Sequence, residues 1–100
     1  MKSGYRIEWA MEAISNLDSI IDYLSNKWTQ KEIKKFYKLL DKTLALVSKN
    51  PDIFSNSELK SNVKRCVLSK QTTIYFEVKN DSVVILTLFD NRKNPKSIKI

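Results

Sequence analysis

The spacing of apolar residues changes twice along this chain, and the change leaves few folds open. Tyr5, Ile7 and Trp9 alternate with Arg6 and Glu8, the two-residue period of a short strand with one buried face. Ala13, Leu17, Ile20, Ile21, Leu24 and Trp28 then recur at steps of three and four, with Glu12, Ser15, Asp18 and Asp22 opposite them. That pattern predicts an amphipathic helix from about Ala10 to Lys27. Thr29 with Glu32 three residues on has the spacing of a capping box, in which each side chain satisfies a backbone donor of the first turn. A second apolar stripe follows: Ile33, Phe36, Tyr37, Leu40, Leu44 and Val47. Asn50-Pro51 ends it, because proline disfavours helical geometry in the residue before it. The very short link between the stripes predicts an antiparallel αα-hairpin.

After Pro51 the chain turns polar as far as Asn62, a loop with room for a short helical turn and with Ile53, Phe54 and Leu59 as candidate anchors. The β signal then returns in Val63–Leu68, Thr73–Val78 and Val83–Phe89, with turn residues Lys79-Asn80-Asp81-Ser82 before the last. The last run is apolar on both faces, which places it centrally in a sheet. A basic tail, Asp90 to Ile100, contains Pro95. The order is β-α-α-β-β-β. It predicts an α+β fold: an antiparallel meander with an N-terminal strand and a helical hairpin packed on one face, in a single domain over residues 1–100.

Absences narrow the chemistry. The chain has no His, which removes Ser-His-Asp and Cys-His pairs and nearly all His-based metal sites. Its one Gly, Gly4, lies outside any loop motif, so Walker loops, dinucleotide fingerprints and nucleophile elbows are excluded. Its one Cys, Cys66, makes neither an internal disulfide nor a thiolate cluster, and reads as a small strand side chain. Nothing calls for a metal or a small-molecule cofactor. The longest apolar strand run, Val83 to Leu86, is far too short to span a bilayer, and no secretory leader opens the sequence, so no membrane partner and a cytoplasmic location are expected. The formal charge of +7 points to an anionic partner.

Four stretches, taken together, resemble the RelE/ParE superfamily of bacterial type II toxins. They are Trp9 with the helix holding Leu17-Asp18-Ser19-Ile20-Ile21-Asp22-Tyr23-Leu24; Leu44 to Asn50-Pro51; Val63-Lys64-Arg65-Cys66-Val67-Leu68 running into Ile74-Tyr75-Phe76-Glu77-Val78; and Ile85 through Asp90-Asn91-Arg92-Lys93-Asn94-Pro95. The resemblance implies a toxin neutralised by a cognate antitoxin whose C-terminal segment wraps it. Two activities share that fold. RelE-like members cleave mRNA on the ribosome, and ParE-like members poison DNA gyrase.

The resemblance also assigns candidate residues. RNA cleavage by 2′-OH attack needs proton carriers and cations to hold phosphorane charge. Lys64 and Arg92 match family cations, but Cys66 and Thr73 stand where a lysine and an arginine are expected, and the late aromatic position falls near Ile98. That departure favours the ParE-like branch and a gyrase inhibitor over an endoribonuclease using Lys64 and Arg92. A degenerate module that only binds antitoxin is the third reading. The expected target-binding residues are Lys64, Arg65, Lys70, Arg92, Lys93 and Asn94, with the basic segment from Arg92 to Lys99. Lys64 and Arg65 point to opposite sheet faces by the strand period. Trp9 and Phe89 are the expected antitoxin-binding pair. Lys31, Lys35, Lys38, Lys42 and Lys49 share one stripe of the second helix. It reads either as a solvated face relieved by Glu32 and Asp41 or as a ridge docking on nucleic-acid phosphates.

Overall fold

The first strand of the chain lies beside the last. In the computed structural model, which describes residues 4–27, 29–58 and 60–98, the sheet order is β1-β4-β3-β2. The strands are β1 (Arg6–Trp9), β2 (Val63–Val67), β3 (Thr72–Val78) and β4 (Ser82–Asp90). β2, β3 and β4 form the antiparallel meander, and β1 pairs in parallel with β4. A parallel neighbour requires a long crossover, and the helices α1 (Met11–Lys27) and α2 (Gln30–Lys49) are part of it. β4 is therefore flanked on both sides, as its doubly apolar sequence demands.

The core lies between the sheet and the hairpin. Ala13 of α1, Leu40 and Val47 of α2, Cys66 of β2, Ile74 and Phe76 of β3, and Val83, Ile85 and Leu88 of β4 are buried together. Tyr5, Ile7, Trp9, Leu17, Ile20 and Phe36 pack around them. A bulge sets which residues of β4 face inward. Tyr75 is in register with Thr87 and Phe76 with Ile85, so Leu86 is the extra residue. The alternation shifts there, and Leu88 joins Ile85 in the core although the two stand three positions apart.

Local details depart from the sequence expectation in four places, the first being Tyr37, which is exposed although expected in the apolar stripe of α2. Thr29 caps α2 without a side-chain bond. Its carbonyl instead accepts the amides of Glu32 at 3.0 Å and Ile33 at 3.2 Å. In the polar loop, Pro51–Ile53 forms the expected helical turn, but Ile53 is exposed. Phe54 packs inward there, meeting the Phe76 ring edge-on at 5.8 Å between centroids; Leu59 lies outside the described residues. Glu12, expected on the solvent face of α1, is half-buried and accepts a hydrogen bond from the Asn16 side chain. Trp28 also lies outside the described residues.

The loop closes the free edge of β2. Asn56 bridges to Lys64, the Arg65 amide donates to the Ser55 carbonyl at 2.9 Å, and the Ser57 amide donates to the Val63 carbonyl at 2.6 Å. At the other end of the chain, Tyr5 and Ser48 exchange bonds, amide to carbonyl at 2.8 Å and hydroxyl to carbonyl at 2.5 Å. Gly4 abuts the same serine: a Cβ there would meet Ser48 Oγ at 2.8 Å. No helix among the described residues is long and apolar enough to cross a membrane.

Candidate functional site

A groove of about 830 Å³ opens between the hairpin and the C-terminal end of the meander. Its apolar floor is Ile20 and Leu24 of α1, Phe36 and Leu39 of α2, and Leu88 and Phe89 of β4. Charged groups ring the mouth: Glu12, Glu32, Lys35, Lys70, Asp90, Arg92 and Lys93. The tail closes one end with Ser97 and Ile98.

Two polar ties hold the walls. On the first, Asn16 of α1 reaches β4. Its Oδ1 accepts the Thr87 hydroxyl at 2.7 Å and the Leu88 amide at 3.0 Å. Neither residue stood out in the sequence. The signal was present: Asn16 falls within the apolar stripe of α1, three residues after Ala13 and four before Ile20, and Thr87 interrupts an apolar strand.

The second tie joins the tail to α1. The Arg92 guanidinium donates from Nε to Asp90 Oδ1 at 3.0 Å and from Nη2 to Asp90 Oδ2 at 2.9 Å, a bidentate pair. Nη1 donates to the Tyr23 hydroxyl at 3.4 Å, and the guanidinium carbon lies 5.1 Å from the Tyr23 ring centroid. These contacts move three titrations. The bonds from Arg92 hold the Asp90 carboxyl below its usual value, the Asp90 and Tyr23 oxygens push Arg92 up, and the Arg92 bond and charge pull the Tyr23 phenol down. In the sequence Tyr23 is marked only by its place in the helix. Its role depends on Arg92, 69 residues away.

The expected site residues divide. Lys70, Arg92, Lys93 and Phe89 gather at the groove. Asn91 fastens that corner: its amide donates to the Gln71 carbonyl at 2.8 Å, its Nδ2 to the Lys70 carbonyl at 3.2 Å, and its Oδ1 accepts the Thr73 hydroxyl at 2.9 Å. Lys64 is elsewhere. It stands in register with Phe76, on the core side of β2, and its ammonium donates to the Phe54 carbonyl at 3.2 Å and Asn56 Oδ1 at 3.1 Å. Arg92 lies beyond the Thr72–Asp90 pair, at least four residue rows further along β3, or about 13 Å of strand. Arg65 points to the opposite face and is exposed. Asn94 closes the tail turn, accepting the Lys96 amide at 2.9 Å on its side chain and the Ser97 hydroxyl at 2.7 Å on its carbonyl. Trp9 packs at the core margin in register with Ile85, four residues before Phe89 on β4, and does not line the groove. Cys66 is buried, and burial pushes its thiol up. Lys99 lies outside the described residues.

The strand-helix-helix-meander order is the one that the resemblance to the RelE/ParE superfamily implies. The family described as the ParE toxin of the type II toxin-antitoxin system parDE matches residues 7–95. The chain belongs to that ParE toxin family, and its partner as such is a cognate antitoxin. A search of curated protein sequences found no match. Among solved structures, the chain is similar to one described as the chromosomal ParDE toxin-antitoxin system from P. aeruginosa, with a TM-score of 0.73 and 17% identity, covering 89% of this chain and 98% of that one. It is also similar to a copper-bound mutant toxin from Helicobacter pylori, with a TM-score of 0.52 and 13% identity over 88% of this chain and 96% of the other. A conserved hypothetical protein from Helicobacter pylori gives a TM-score of 0.54 and 15% identity over 89% and 97%. At these identities the likeness concerns the fold.

Proposed function

We propose that this toxin arrests growth by poisoning DNA gyrase and has no ribonuclease chemistry of its own. One observation carries the reading: the two cations that RNA cleavage would use do not converge. Lys64 is bound to the Phe54–Asn56 loop, Arg92 is chelated by Asp90, and about 13 Å of strand separates their rows. A phosphorane needs its cations aimed at one point before the reaction starts. The gyrase contact then falls to Lys70, Arg92 and Lys93 around the tail corner and to Arg65 on the open sheet face, with Lys64 and Asn94 positioning the segments that carry them. The antitoxin segment occupies the groove over Phe36, Leu39 and Phe89, and Trp9 supports the wall of β1 and β4. The protein works in the cytoplasm, where gyrase is.

The test is purified toxin added to gyrase and supercoiled DNA. Cleavage complexes should accumulate with toxin dose and vanish when antitoxin is added in excess. In cells, labelled thymidine incorporation should fall before labelled amino acid incorporation. No cleavage complexes at excess toxin would reject the proposal.

Tyr23 supports a second reading, mRNA cleavage on the ribosome. A phenol with a lowered pKa beside a guanidinium is a proton carrier in contact with a cation. That reading expects codon-phased cuts in translated mRNA that Tyr23→Phe abolishes.

A further inference from the structure

The outer face of α2 carries a charge pattern that the gyrase contact does not use and that meets the groove only at Lys35. At 100° per residue, Lys31, Lys34, Lys35, Lys38, Lys42 and Lys49 fall within about 100° of arc. The arc is centred opposite Ile33, Phe36, Leu40, Leu44 and Val47, which face the core. Ala45 is the one other residue of α2 within it; Glu32 and Asp41 lie outside. All six lysines are exposed, and the row is about 27 Å long at 1.5 Å per residue. The sequence stripe of five thus gains Lys34.

Two features distinguish this row from a merely solvated face. Among the described residues, none of its ammoniums takes part in an ion pair: Arg6 pairs with Glu8 and Asp81, Lys79 with Glu77 and Arg92 with Asp90, all on the sheet, its turns or its tail. The row also repels itself. Lys31/Lys34, Lys31/Lys35, Lys34/Lys38, Lys35/Lys38 and Lys38/Lys42 are like charges at three- and four-residue spacing, each destabilising to the helix. The outer face of α1, with Asp18 and Asp22, supplies no counterpart on that arc.

We propose that the outer face of α2 is a docking surface for duplex DNA, with its lysines set along the phosphate backbone. A straight, rigid row of point charges suits a straight, uniformly charged rod. The arc holds no aromatic residue, so it lacks the stacking platform that single strands require. Leu40 and Val47 of α2 are buried in the core, and of its exposed apolar side chains Leu39 lines the groove while Leu46 and Tyr37 stand on opposite flanks of the arc, so the lysines border no continuous apolar face for insertion into a lipid surface. The choice of DNA over duplex RNA rests on the gyrase reading; the surface itself does not.

Fluorescence anisotropy of the full chain with a labelled duplex of about 20 base pairs tests this without gyrase, so its failure and that of the gyrase reading are separable. With all six lysines engaged, affinity should fall about a thousandfold between about 50 and 200 mM salt, a logarithmic slope near −5. The double variant Lys38→Gln/Lys42→Gln should lower that slope by about two units. Lys79→Gln, in the turn between β3 and β4, should leave it unchanged. Glutamine is a good helix former, and matching circular dichroism will confirm that the double variant is folded. No binding to the duplex at low salt, a slope that ignores the double variant, or stronger binding to duplex RNA, single-stranded DNA, anionic vesicles or an acidic peptide would each overturn the proposal.

Discussion

The groove and the outer face of α2 lie on two sides of one helical hairpin, and they treat charge in opposite ways. At the groove, Arg92 is shared between Asp90 and Tyr23, and Asn16 satisfies Thr87 and Leu88. On the outer face of α2, six lysines stand in a row, Lys35 bordering the groove mouth, without an ion pair among the described residues. The first set of polar groups builds the fold. The second costs the helix some stability through repulsion and remains open to a partner. Net charge alone would count both sets alike.

Mutations can sharpen or break this contrast. The largest expected effect is at Asn16. Asn16→Ala leaves a buried hydroxyl and a backbone amide without their acceptor, and should cost roughly 2–3 kcal/mol in urea unfolding. A loss below half of that would mean the α1–β4 tie is not what holds the groove wall.

Neighbouring cations on β2 come next. Lys64→Met should destabilise by roughly 1–2 kcal/mol, because the Phe54 carbonyl and Asn56 lose a charged donor. Arg65→Met, one residue on and exposed, should fall within about 0.5 kcal/mol of the parent. Equal values for the two would erase the distinction between holding and open cations.

The Asp90–Arg92 pair should appear as a pH dependence. The folded pKa of Asp90 is depressed, so in the acid range the unfolded chain binds more protons and stability rises with pH. The contribution is present above the ordinary value of 3.8 and is lost as pH falls through the lower folded value. Thermal unfolding followed down to about pH 2 should therefore show a shallower acid decline in Arg92→Gln than in the parent. An unchanged decline would mean that solvent screens the pair completely. The smallest effect belongs to the row on α2. Lys38→Gln should change stability by no more than about 0.5 kcal/mol, with a rise favoured by relief of repulsion. A clear loss would place Lys38 among the groups that build the fold.

Much of the fold was legible from periodicity. The two helices, the three meander strands and the central place of β4 follow from apolar spacing, and Asn50-Pro51 ends α2 where the rule puts it. The candidate site was legible in part. Lys70, Arg92, Lys93 and Phe89 share the groove; a basic tail after a central strand accounts for Arg92 and Lys93, whereas Lys70 comes from the β2–β3 turn. Trp9 and Phe89 were paired in expectation but lie four residues apart in register. Tyr23 and Asn16 went unseen because their partners are about 70 residues away, beyond any local pattern.

The sequence by itself determined the element order, most of the buried stripe of each helix and the lysine row of α2, since these depend on the spacing of side chains along one backbone. Only the tertiary structure decided that β1 lies parallel beside β4, that the bulge at Leu86 turns Leu88 inward, and that Lys64 closes a loop while Arg65 faces outward. Those outcomes depend on strand register and on long-range hydrogen-bond partners, which chain entropy and burial settle for the molecule as a whole.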